Sequence, residues 1–163
     1  MIILRTYIML IGLPASGKST WAANYIAKNS KMGFRVISSD DIIEERALLE
    51  GLTYNASHKK NIGLAIDEME RRFKLRVKDG INIIHDQTNL TIKTRKEHLV
   101  KVKGYVKSAV VFTLPEEKWR QRFELRKEKT GKYVPEFIIK NMTDNFELPT
   151  VEEGFDKVIN IQS

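Results

Sequence analysis

A glycine-rich segment near the beginning of the chain has the residue types and spacing of a phosphate-binding loop. The eight residues from Gly12 to Ser19 match the pattern G-x-x-x-x-G-K-[ST]. In such a loop, backbone N–H groups surround the phosphates of a nucleotide, a lysine reaches the β- and γ-phosphates, and a hydroxyl binds Mg²⁺. An ordinary Gly/Pro turn is the alternative. We predict a nucleoside triphosphate site, with Ser19 as a metal ligand, formed by Gly12, Pro14, Ala15, Ser16, Gly17, Lys18, Ser19 and Thr20.

Two consecutive carboxylates, Asp40 and Asp41, come directly after a predicted strand. A kinase needs a base that accepts the proton of the attacking hydroxyl, and an aspartate can serve. A carboxylate at the edge of the sheet would lie near the γ-phosphate, which makes Asp40 a candidate catalytic residue. The alternative is structural, because Ser39 or Asp40 could cap a helix that begins near Ile42. The residues alone leave both interpretations open.

A third carboxylate, Asp86, ends an apolar strand. In proteins with a phosphate-binding loop, a carboxylate at this place commonly holds Mg²⁺, either directly or through water. We therefore predict Asp86 as the second metal-binding residue beside Ser19. Thr88 and Asn89 could orient this network, or they could form a turn that leads into the next helix.

Two arginines, Arg122 and Arg126, are four residues apart on a predicted helix, so both side chains project from one face. A loop with Thr130 and Gly131 follows. Paired arginines before a loop suit a lid that closes over the triphosphate and stabilises the charge on the phosphoryl group in transfer. In the alternative they form solvated ion pairs with neighbouring glutamates: Glu116, Glu117 and Glu128.

Short apolar strands alternate with longer amphipathic helices along the chain, and this alternation is what must position the candidate residues. The pattern predicts strands at 7–11, 35–38, 81–85, 109–113 and 158–161, and helices at 20–27, 42–50, 57–78, 91–103, 116–129 and 135–146. Such alternation is typical of the α/β class, in which helices cover both faces of a parallel sheet. The carboxyl ends of parallel strands meet at one edge, where every candidate residue falls.

Composition narrows the class of protein further. A chain of 163 residues is expected to form a single domain (1–163). It has no cysteine, and the apolar run Met1–Arg5 is too short for a signal peptide or a membrane span, so we expect a soluble, cytoplasmic protein without a membrane partner. A net charge of +7 favours polyanionic partners. No heptad pattern or exposed apolar stripe predicts an oligomeric state.

Taken together, the motifs resemble the kinase domain of polynucleotide 5′-kinases, above all the phage and bacterial end-healing enzymes. The resemblance runs from Tyr7 to Leu148, and the motifs that carry it are Gly12–Ala22, Ser-Ser-Asp-Asp (38–41), Asp-x-Thr-Asn-Leu (86–90) with Arg95, and Arg122/Arg126 before Val134-Pro135. It implies a P-loop NTPase fold of the adenylate-kinase-like type with an arginine-bearing lid. It also implies ATP or another nucleoside triphosphate as donor, Mg²⁺ as cofactor, and RNA or DNA 5′-hydroxyl ends as acceptor.

The same resemblance implies a role for each catalytic candidate. Lys18 would hold phosphate, Asp40 would accept the proton of the 5′-hydroxyl, and the two lid arginines would clamp the donor phosphates. One position departs from the family pattern. Members usually carry an arginine three residues after the base, which grips the acceptor's 3′-phosphate, whereas this chain has Ile43. Either another cation takes over or the acceptor differs; the candidate cations are Arg46, Lys59, Lys60 and Arg71.

Three hypotheses follow, and the first is a polynucleotide 5′-hydroxyl kinase. The second keeps the kinase and changes the acceptor to the hydroxyl of a modified DNA base, a nucleoside or a small metabolite, which Ile43 motivates. The third is a nucleotide-dependent binding or switch module that hydrolyses ATP slowly. The chain contains no Asp-x-Asp-Gly-Thr motif, so we expect no phosphatase domain of the kind that often accompanies these kinases.

Overall fold

Strands and helices alternate along the computed structural model, which describes residues 4–162. Two single-turn 3₁₀ helices, Ser30–Met32 and Val151–Glu153, interrupt the alternation. The strands are β1 (Arg5–Ile11), β2 (Arg35–Ile37), β3 (Ile83–Asp86), β4 (Tyr105–Thr113) and β5 (Lys157–Gln162). The helices are α1 (Lys18–Lys28), α2 (Ser39–Glu50), α3 (Tyr54–Lys78), α4 (Ile92–Leu99), α5 (Glu116–Thr130) and α6 (Glu136–Asp144).

The five strands form one sheet in the order β2-β3-β1-β4-β5, and every pair is parallel. The predicted parallel sheet is therefore confirmed. In the register, Leu10 of β1 lies opposite Asp86 of β3, and Ile37 of β2 lies opposite His85. The carboxyl ends of the three strands thus reach the same edge, and the residues that follow β1 and β2 meet Asp86 there.

The side chains of β1 alternate between two hydrophobic layers, as the period of a strand requires. Tyr7, Met9 and Ile11 pack on one face with apolar residues of α2, α3 and α4. Ile8 and Leu10 pack on the other face with α1, where Trp21 stacks on Tyr25. Because both faces are covered by helices, β1 is buried almost throughout, and the loop after it rests on a rigid strand.

The lid is a third, smaller layer built from α5 and α6. Its apolar contacts join Trp119, Phe123 and Ile139, and they extend to Leu13 and Ala15 of the phosphate-binding loop. Trp119 therefore attaches the lid to the phosphate-binding loop. Its indole Nε1 donates a 2.7 Å hydrogen bond to the carbonyl of Pro14.

Several predicted boundaries differ from the observed ones, and the largest differences lie between α4 and β4. The helix expected to reach residue 103 ends at Leu99, and β4 begins four residues earlier than expected, at Tyr105. Gly104 follows the predicted end of the helix, as is typical of a helix C-terminus. In the structure, however, Val102 lies in the turn between α4 and β4 and is completely buried in the core. Tertiary burial of an apolar residue overrides the local periodic pattern here.

A buried ion pair holds the loop between β3 and α4. The guanidinium of Arg95, which is fully buried, forms two 2.8 Å hydrogen bonds with the carboxylate of Glu153. Its third nitrogen donates to the carbonyls of Asn89 and Leu90. Arg95 therefore lies beneath the Asp-x-Thr-Asn-Leu motif (86–90), and its contacts stabilise the structure of this loop.

We expect Arg95→Met to destabilise the fold by about 3–5 kcal/mol, because it leaves the carboxylate of Glu153 buried without its partner. Urea unfolding followed by circular dichroism measures the change. Arg71→Met, which removes an exposed arginine from its pair with Glu68, is the matched control and is expected to unfold like the wild type. Equal unfolding midpoints for the two variants would contradict this account of Arg95.

None of the helices between residues 4 and 162 has both the length and the apolar character needed to cross a lipid bilayer. The first residues of the apolar N-terminal run, Met1–Ile3, lie outside the described residues.

Candidate functional site

The phosphate-binding loop connects β1 to α1 and buries the polar residues Ser16 and Lys18. Gly17 precedes α1 with φ at 98°, and Ala15 has φ at 63°, a left-handed conformation that is uncommon for a residue with a Cβ. Ser16 is buried, and its hydroxyl has no hydrogen-bond partner within the described residues. A buried hydroxyl without a partner at the N-terminus of a helix suits a phosphate oxygen. The loop thus places a buried hydroxyl without a partner where the predicted nucleotide phosphates would bind.

Gly12 shows why the loop needs glycine at its first position. Its φ is 159°, and a Cβ there would lie 2.8 Å from the hydroxyl of Ser16 and 3.1 Å from Phe112. The backbone N–H of Gly12 donates to the carbonyl of Thr88, which joins the loop to the residues after β3. A side chain at this position would press against Ser16 and against Phe112 of β4.

Lys18 is buried at the first position of α1. Its ammonium donates hydrogen bonds to the carbonyls of Gly12 (3.0 Å) and Leu13 (2.8 Å). Burial lowers the pKa of Lys18 to about 8, and the nearby carboxylate of Asp86 acts in the opposite direction. The ammonium of Lys18 therefore lies beside the predicted position of the β- and γ-phosphates. Burial disfavours its charged form, and anionic phosphate oxygens would favour that form again.

Nucleotide affinity is expected to fall as the pH rises above about 8. Phosphate oxygens beside the ammonium raise the pKa of Lys18 in the complex, so binding is strongest below the pKa of the free protein. Above it, the dissociation constant should rise by up to about tenfold per pH unit. Calorimetric titration with ATP between about pH 7.5 and pH 9.5, in buffers of different ionisation enthalpy, measures both affinity and proton uptake. Constant affinity without proton uptake would contradict the assignment of Lys18.

The two predicted metal ligands lie side by side. The hydroxyl of Ser19 donates a 2.6 Å hydrogen bond to Oδ2 of Asp86. Burial raises the pKa of Asp86, although the Ser19 hydroxyl and the Lys18 ammonium lower it in part. A hydroxyl and a buried carboxylate are oxygen ligands of the kind that Mg²⁺ accepts, and a divalent cation would stabilise the charged carboxylate. No group of three or more acidic or histidine residues within 4–162 could hold a metal unaided, so phosphate oxygens and water would complete the coordination.

The candidate base, Asp40, lies in the first turn of α2. Its Oδ1 accepts a 2.7 Å hydrogen bond from the hydroxyl of Tyr54, and its Oδ2 lies 3.5 Å from the guanidinium of Arg126. The structural alternative, in which Ser39 or Asp40 caps α2, is wrong. The cap is Ser38, whose side chain accepts a hydrogen bond from the backbone N–H of Asp41. Asp40 is free to present its carboxylate to the cleft.

Asp41, the second carboxylate of the pair, has a different environment. Burial raises its pKa to about 6, and the surrounding carboxylates, with Asp86 the strongest, add to the rise. Because a base works best when its pKa is near the working pH, Asp41 competes with Asp40 on electrostatic grounds. The contacts with Tyr54 and Arg126 favour Asp40.

The two lid arginines point into the same cleft as the phosphate-binding loop. A Cβ built on Gly17 would lie 3.4 Å from a guanidinium nitrogen of Arg122, so this arginine lies over the loop. Arg126 reaches Asp40 instead. Within residues 4–162 neither arginine pairs with the glutamates that the alternative required; Glu116 pairs with Arg120. The helix face with Arg122 and Arg126 is therefore part of the site.

A cleft of about 1300 Å³ contains these groups. The phosphate-binding loop, Asp40, Asp86 and the lid arginines line it, together with Tyr54, Asn55, His58, Lys132 and Tyr133. Pockets for one small ligand are usually about 300–1,000 Å³. The cleft has room for a nucleotide and a second molecule, and Asp40 is among its lining residues.

Residues that the sequence did not identify complete the site. Tyr54, at the start of α3, donates to Asp40, and burial keeps its pKa above the ordinary value, so its hydroxyl stays protonated. No spacing rule connects positions 40 and 54, because the contact depends on how α2 and α3 pack. Thr88 lines the cleft, whereas Asn89 adopts φ 47° and donates to the carbonyl of Leu10, which favours the turn interpretation for Asn89.

The position that departs from the family pattern belongs to the core. Ile43 has no exposed surface, and its carbonyl accepts a hydrogen bond from Ser57. None of the four cations considered as substitutes lines the cleft. Arg46 and Lys60 pair with Glu50, and Arg71 pairs with Glu68.

Comparison with known proteins now identifies the family. The AAA_33 family, described as an AAA domain, matches residues 8–149. The chain belongs to this family. The AAA domain is also 30% identical over 155 residues to human heterogeneous nuclear ribonucleoprotein U-like protein 2, a match that covers 93% of the chain. It spans only about a fifth (21%) of the length of that relative.

Solved structures share the fold of this AAA domain. The PezAT toxin–antitoxin system of Streptococcus pneumoniae matches with a TM-score of 0.77 at 20% identity, over 99% of this chain and 68% of that one. The Pnkp1/Rnl/Hen1 RNA repair complex matches with a TM-score of 0.67 at 23% identity, over 89% of this chain and 45% of that one. A gluconokinase from Sinorhizobium meliloti matches with a TM-score of 0.55 at 16% identity, over 99% of this chain and 84% of that one. The AAA domain therefore has the α/β fold of P-loop kinases.

Proposed function

We propose that this chain is a Mg²⁺-dependent kinase that transfers the γ-phosphate of ATP, or of another nucleoside triphosphate, to the 5′-hydroxyl end of RNA or DNA. The observation that carries the proposal is the position of Asp40. Its carboxylate lies in the same cleft as Lys18, Ser19 and Asp86, and both its oxygens are oriented, one by Tyr54 and one by Arg126. A carboxylate oriented in this way can accept the proton of an acceptor hydroxyl that enters the cleft.

The transfer follows from these positions. The acceptor hydroxyl enters the cleft beside Asp40, which accepts its proton as the oxygen attacks the γ-phosphorus in line with the leaving β-phosphate oxygen. Lys18 binds the β- and γ-phosphates, and Arg122 and Arg126 neutralise charge on the phosphoryl group as it moves. Ser19 and Asp86 would hold Mg²⁺, which would further neutralise the phosphate oxygens.

Three observations support a polynucleotide as the acceptor. The chain carries a net charge of +7, as is common for proteins that bind polyanions. Tyr54 and Tyr133 line the cleft together with Lys132, and aromatic rings beside cations are typical surfaces for single-stranded ends. One structural neighbour belongs to an RNA repair complex, and the human relative is named as a ribonucleoprotein.

Labelled phosphate transfer tests the proposal. Purified protein is incubated with γ-labelled ATP, Mg²⁺ and paired RNA and DNA oligonucleotides that differ only in carrying a 5′-hydroxyl or a 5′-phosphate. We expect label on the 5′-hydroxyl strands only. Label on nucleosides or sugars but on neither oligonucleotide would favour a kinase with a small hydroxyl acceptor. Release of free phosphate without a labelled product would favour the switch module.

A further inference from the structure

We propose that the edge of the sheet opposite the cleft binds the phosphate backbone of a nucleic acid strand. We call the five cations that carry this proposal the basic edge: Arg5, Lys31, Arg35, Lys78 and Lys103. The binding depends on the backbone charge of the strand and not on its end. The inference therefore goes beyond the proposed function and does not require the cleft to be a kinase site.

The basic edge lies where the strands begin. In a parallel sheet all strands begin at one edge and end at the other. Arg5 and Arg35 are the first residues of β1 and β2, and Lys103 comes two residues before β4. Because a strand rises about 3.3 Å per residue, the length of β1 places the basic edge about 20 Å from the phosphate-binding loop.

Asn82 holds three segments of the basic edge together. Its amide nitrogen donates a 2.7 Å hydrogen bond to the carbonyl of Met32, and its amide oxygen accepts a 2.7 Å hydrogen bond from the backbone N–H of Thr6. Its backbone carbonyl accepts a hydrogen bond from the N–H of Arg35. The beginnings of β1 and β2 and the 3₁₀ helix before β2 are thus fixed beside one another, and each carries one of the cations.

The turn after α3 brings the other two cations to the same place. The side chain of Arg5 packs against Gly80, where a Cβ would lie 2.7 Å from its Nε, and Lys78 is two residues before this glycine. The hydroxyl of Tyr105 donates a 3.1 Å hydrogen bond to the carbonyl of the residue after Gly80. Lys103 lies two residues before Tyr105. The five cations therefore belong to one continuous surface.

The positive charge of this surface is not compensated by ion pairs. All five residues of the basic edge are exposed. None of them forms an ion pair with a carboxylate within residues 4–162. Asp79 is an exposed carboxylate in the same turn, so the surface has one acidic residue among its cations.

Arg76, in the last turn of α3, shows the crowding of positive charge beside the basic edge. Its Nε is buried and has no hydrogen-bond partner among the described residues. Burial lowers the pKa of Arg76, and the charges of Arg35 and Arg72 lower it further. An anion near these guanidinium groups would relieve their mutual repulsion.

Stabilisation of helix ends explains only part of the set. Lys78 lies in the last turn of α3, where a cation interacts favourably with the helix dipole. Arg5 and Arg35 begin strands, and sheets have only small net dipoles. Helix ends therefore do not account for the charge of the basic edge.

A linear polyanion is the partner that fits this arrangement. Neighbouring strands lie about 4.8 Å apart, so the distance from β2 across β3 and β1 to β4 is about 14 Å. The cations that begin or precede these strands thus form a row and do not converge on one point. The phosphates of a nucleic acid strand form such a row, and lysine and arginine are their usual contacts in proteins.

Binding of a strand that cannot accept phosphate tests the basic edge. The probe is a fluorescent single-stranded DNA with a 5′-phosphate, and saturating ADP fills the phosphate-binding loop. For the variant Arg5→Gln/Lys31→Gln/Lys103→Gln we expect a dissociation constant at least about tenfold above that of the wild type at low salt, measured by fluorescence anisotropy. The slope of log affinity against log salt should become shallower by about 2, because each phosphate contact with a single strand contributes about 0.7.

A second triple variant controls for net charge. Lys93→Gln/Lys118→Gln/Lys129→Gln removes the same number of charges from exposed lysines that lie outside the basic edge and do not line the cleft. We expect it to bind the probe like the wild type. Equal losses of affinity in the two triple variants would show a general attraction between the protein and DNA, and would overturn the basic edge.

A double variant controls for the fold. Lys31→Gln/Lys103→Gln leaves Arg5 in its contact with Gly80, and it should still make the salt dependence shallower, by about 1.4. Affinity for ADP should stay at the wild-type value in every variant, because the basic edge is remote from the cleft. A triple variant that loses the probe together with ADP, beside a double variant that binds the probe like the wild type, would overturn the proposal.

Two further results separate the partner and the proposed function. If the triple variant lost binding to phosphatidylserine vesicles but kept the probe, the basic edge would bind a lipid surface and the proposal would be wrong. Phosphorylation of 5′-hydroxyl ends with unchanged probe binding in the triple variant would overturn the basic edge alone. Probe binding that depends on the basic edge, in a wild type that transfers no phosphate, would support the basic edge and overturn the proposed function.

Discussion

Replacing Asp40 with asparagine is expected to lower the rate of phosphate transfer by about 10²–10⁴-fold. The amide keeps the shape of the side chain and its contact with Tyr54, but it cannot accept the proton of the attacking hydroxyl. ATP should still bind, because Lys18, Ser19 and Asp86 form the phosphate and metal sites. Single-turnover transfer and equilibrium binding of ATP, measured on the same preparation, separate the two effects.

Asp41→Asn is the matched control for Asp40→Asn. The two carboxylates are adjacent in the sequence, and both line the cleft, but Asp41 lacks the contacts with Tyr54 and Arg126. We expect less than about a tenfold loss for Asp41→Asn. If Asp41→Asn abolished transfer while Asp40→Asn remained active, the base would be Asp41, whose pKa burial raises to about 6.

Replacing Arg126 with alanine is expected to lower kcat by about 10²–10³-fold. Arg126 is a quarter exposed and lies 3.5 Å from Asp40, so its charge is close to both the base and the path of the phosphoryl group. A guanidinium binds two oxygens in a fixed geometry, whereas an ammonium is a point charge. Arg126→Lys should therefore restore only part of the activity, which steady-state kinetics at saturating ATP would show.

Arg120→Ala controls for the loss of an arginine from α5. This arginine is exposed and pairs with Glu116 and Glu136 on the outer side of the lid. We expect its kinetics to match those of the wild type. If Arg126→Ala raised the KM for ATP and left kcat unchanged, the arginine would bind the nucleotide equally in the ground and transition states and would not act on the transfer step.

Much of the architecture was predictable from local signals. The alternation of apolar strands and amphipathic helices predicted the parallel sheet, because a period of two or of 3.6 is visible within one segment. The phosphate-binding loop was equally local, since Gly12, Lys18 and Ser19 lie within eight consecutive residues. The boundary between α4 and β4 was not, because burial of Val102 depends on residues that are distant in the sequence.

The candidate site likewise has some features that are visible within one segment and others that depend on residues distant in the sequence. The residue types at the ends of β1, β2 and β3 can be read from the chain directly, and the parallel register brings those ends together. Other features of the site emerge only when the helices pack: Tyr54 reaches Asp40, Trp119 donates to Pro14, Ile43 belongs to the core and Lys132 pairs with Glu44. These relations join elements whose mutual position depends on strand order and helix packing. A contact between positions 14 and 119, or between 44 and 132, has no period that the sequence could display.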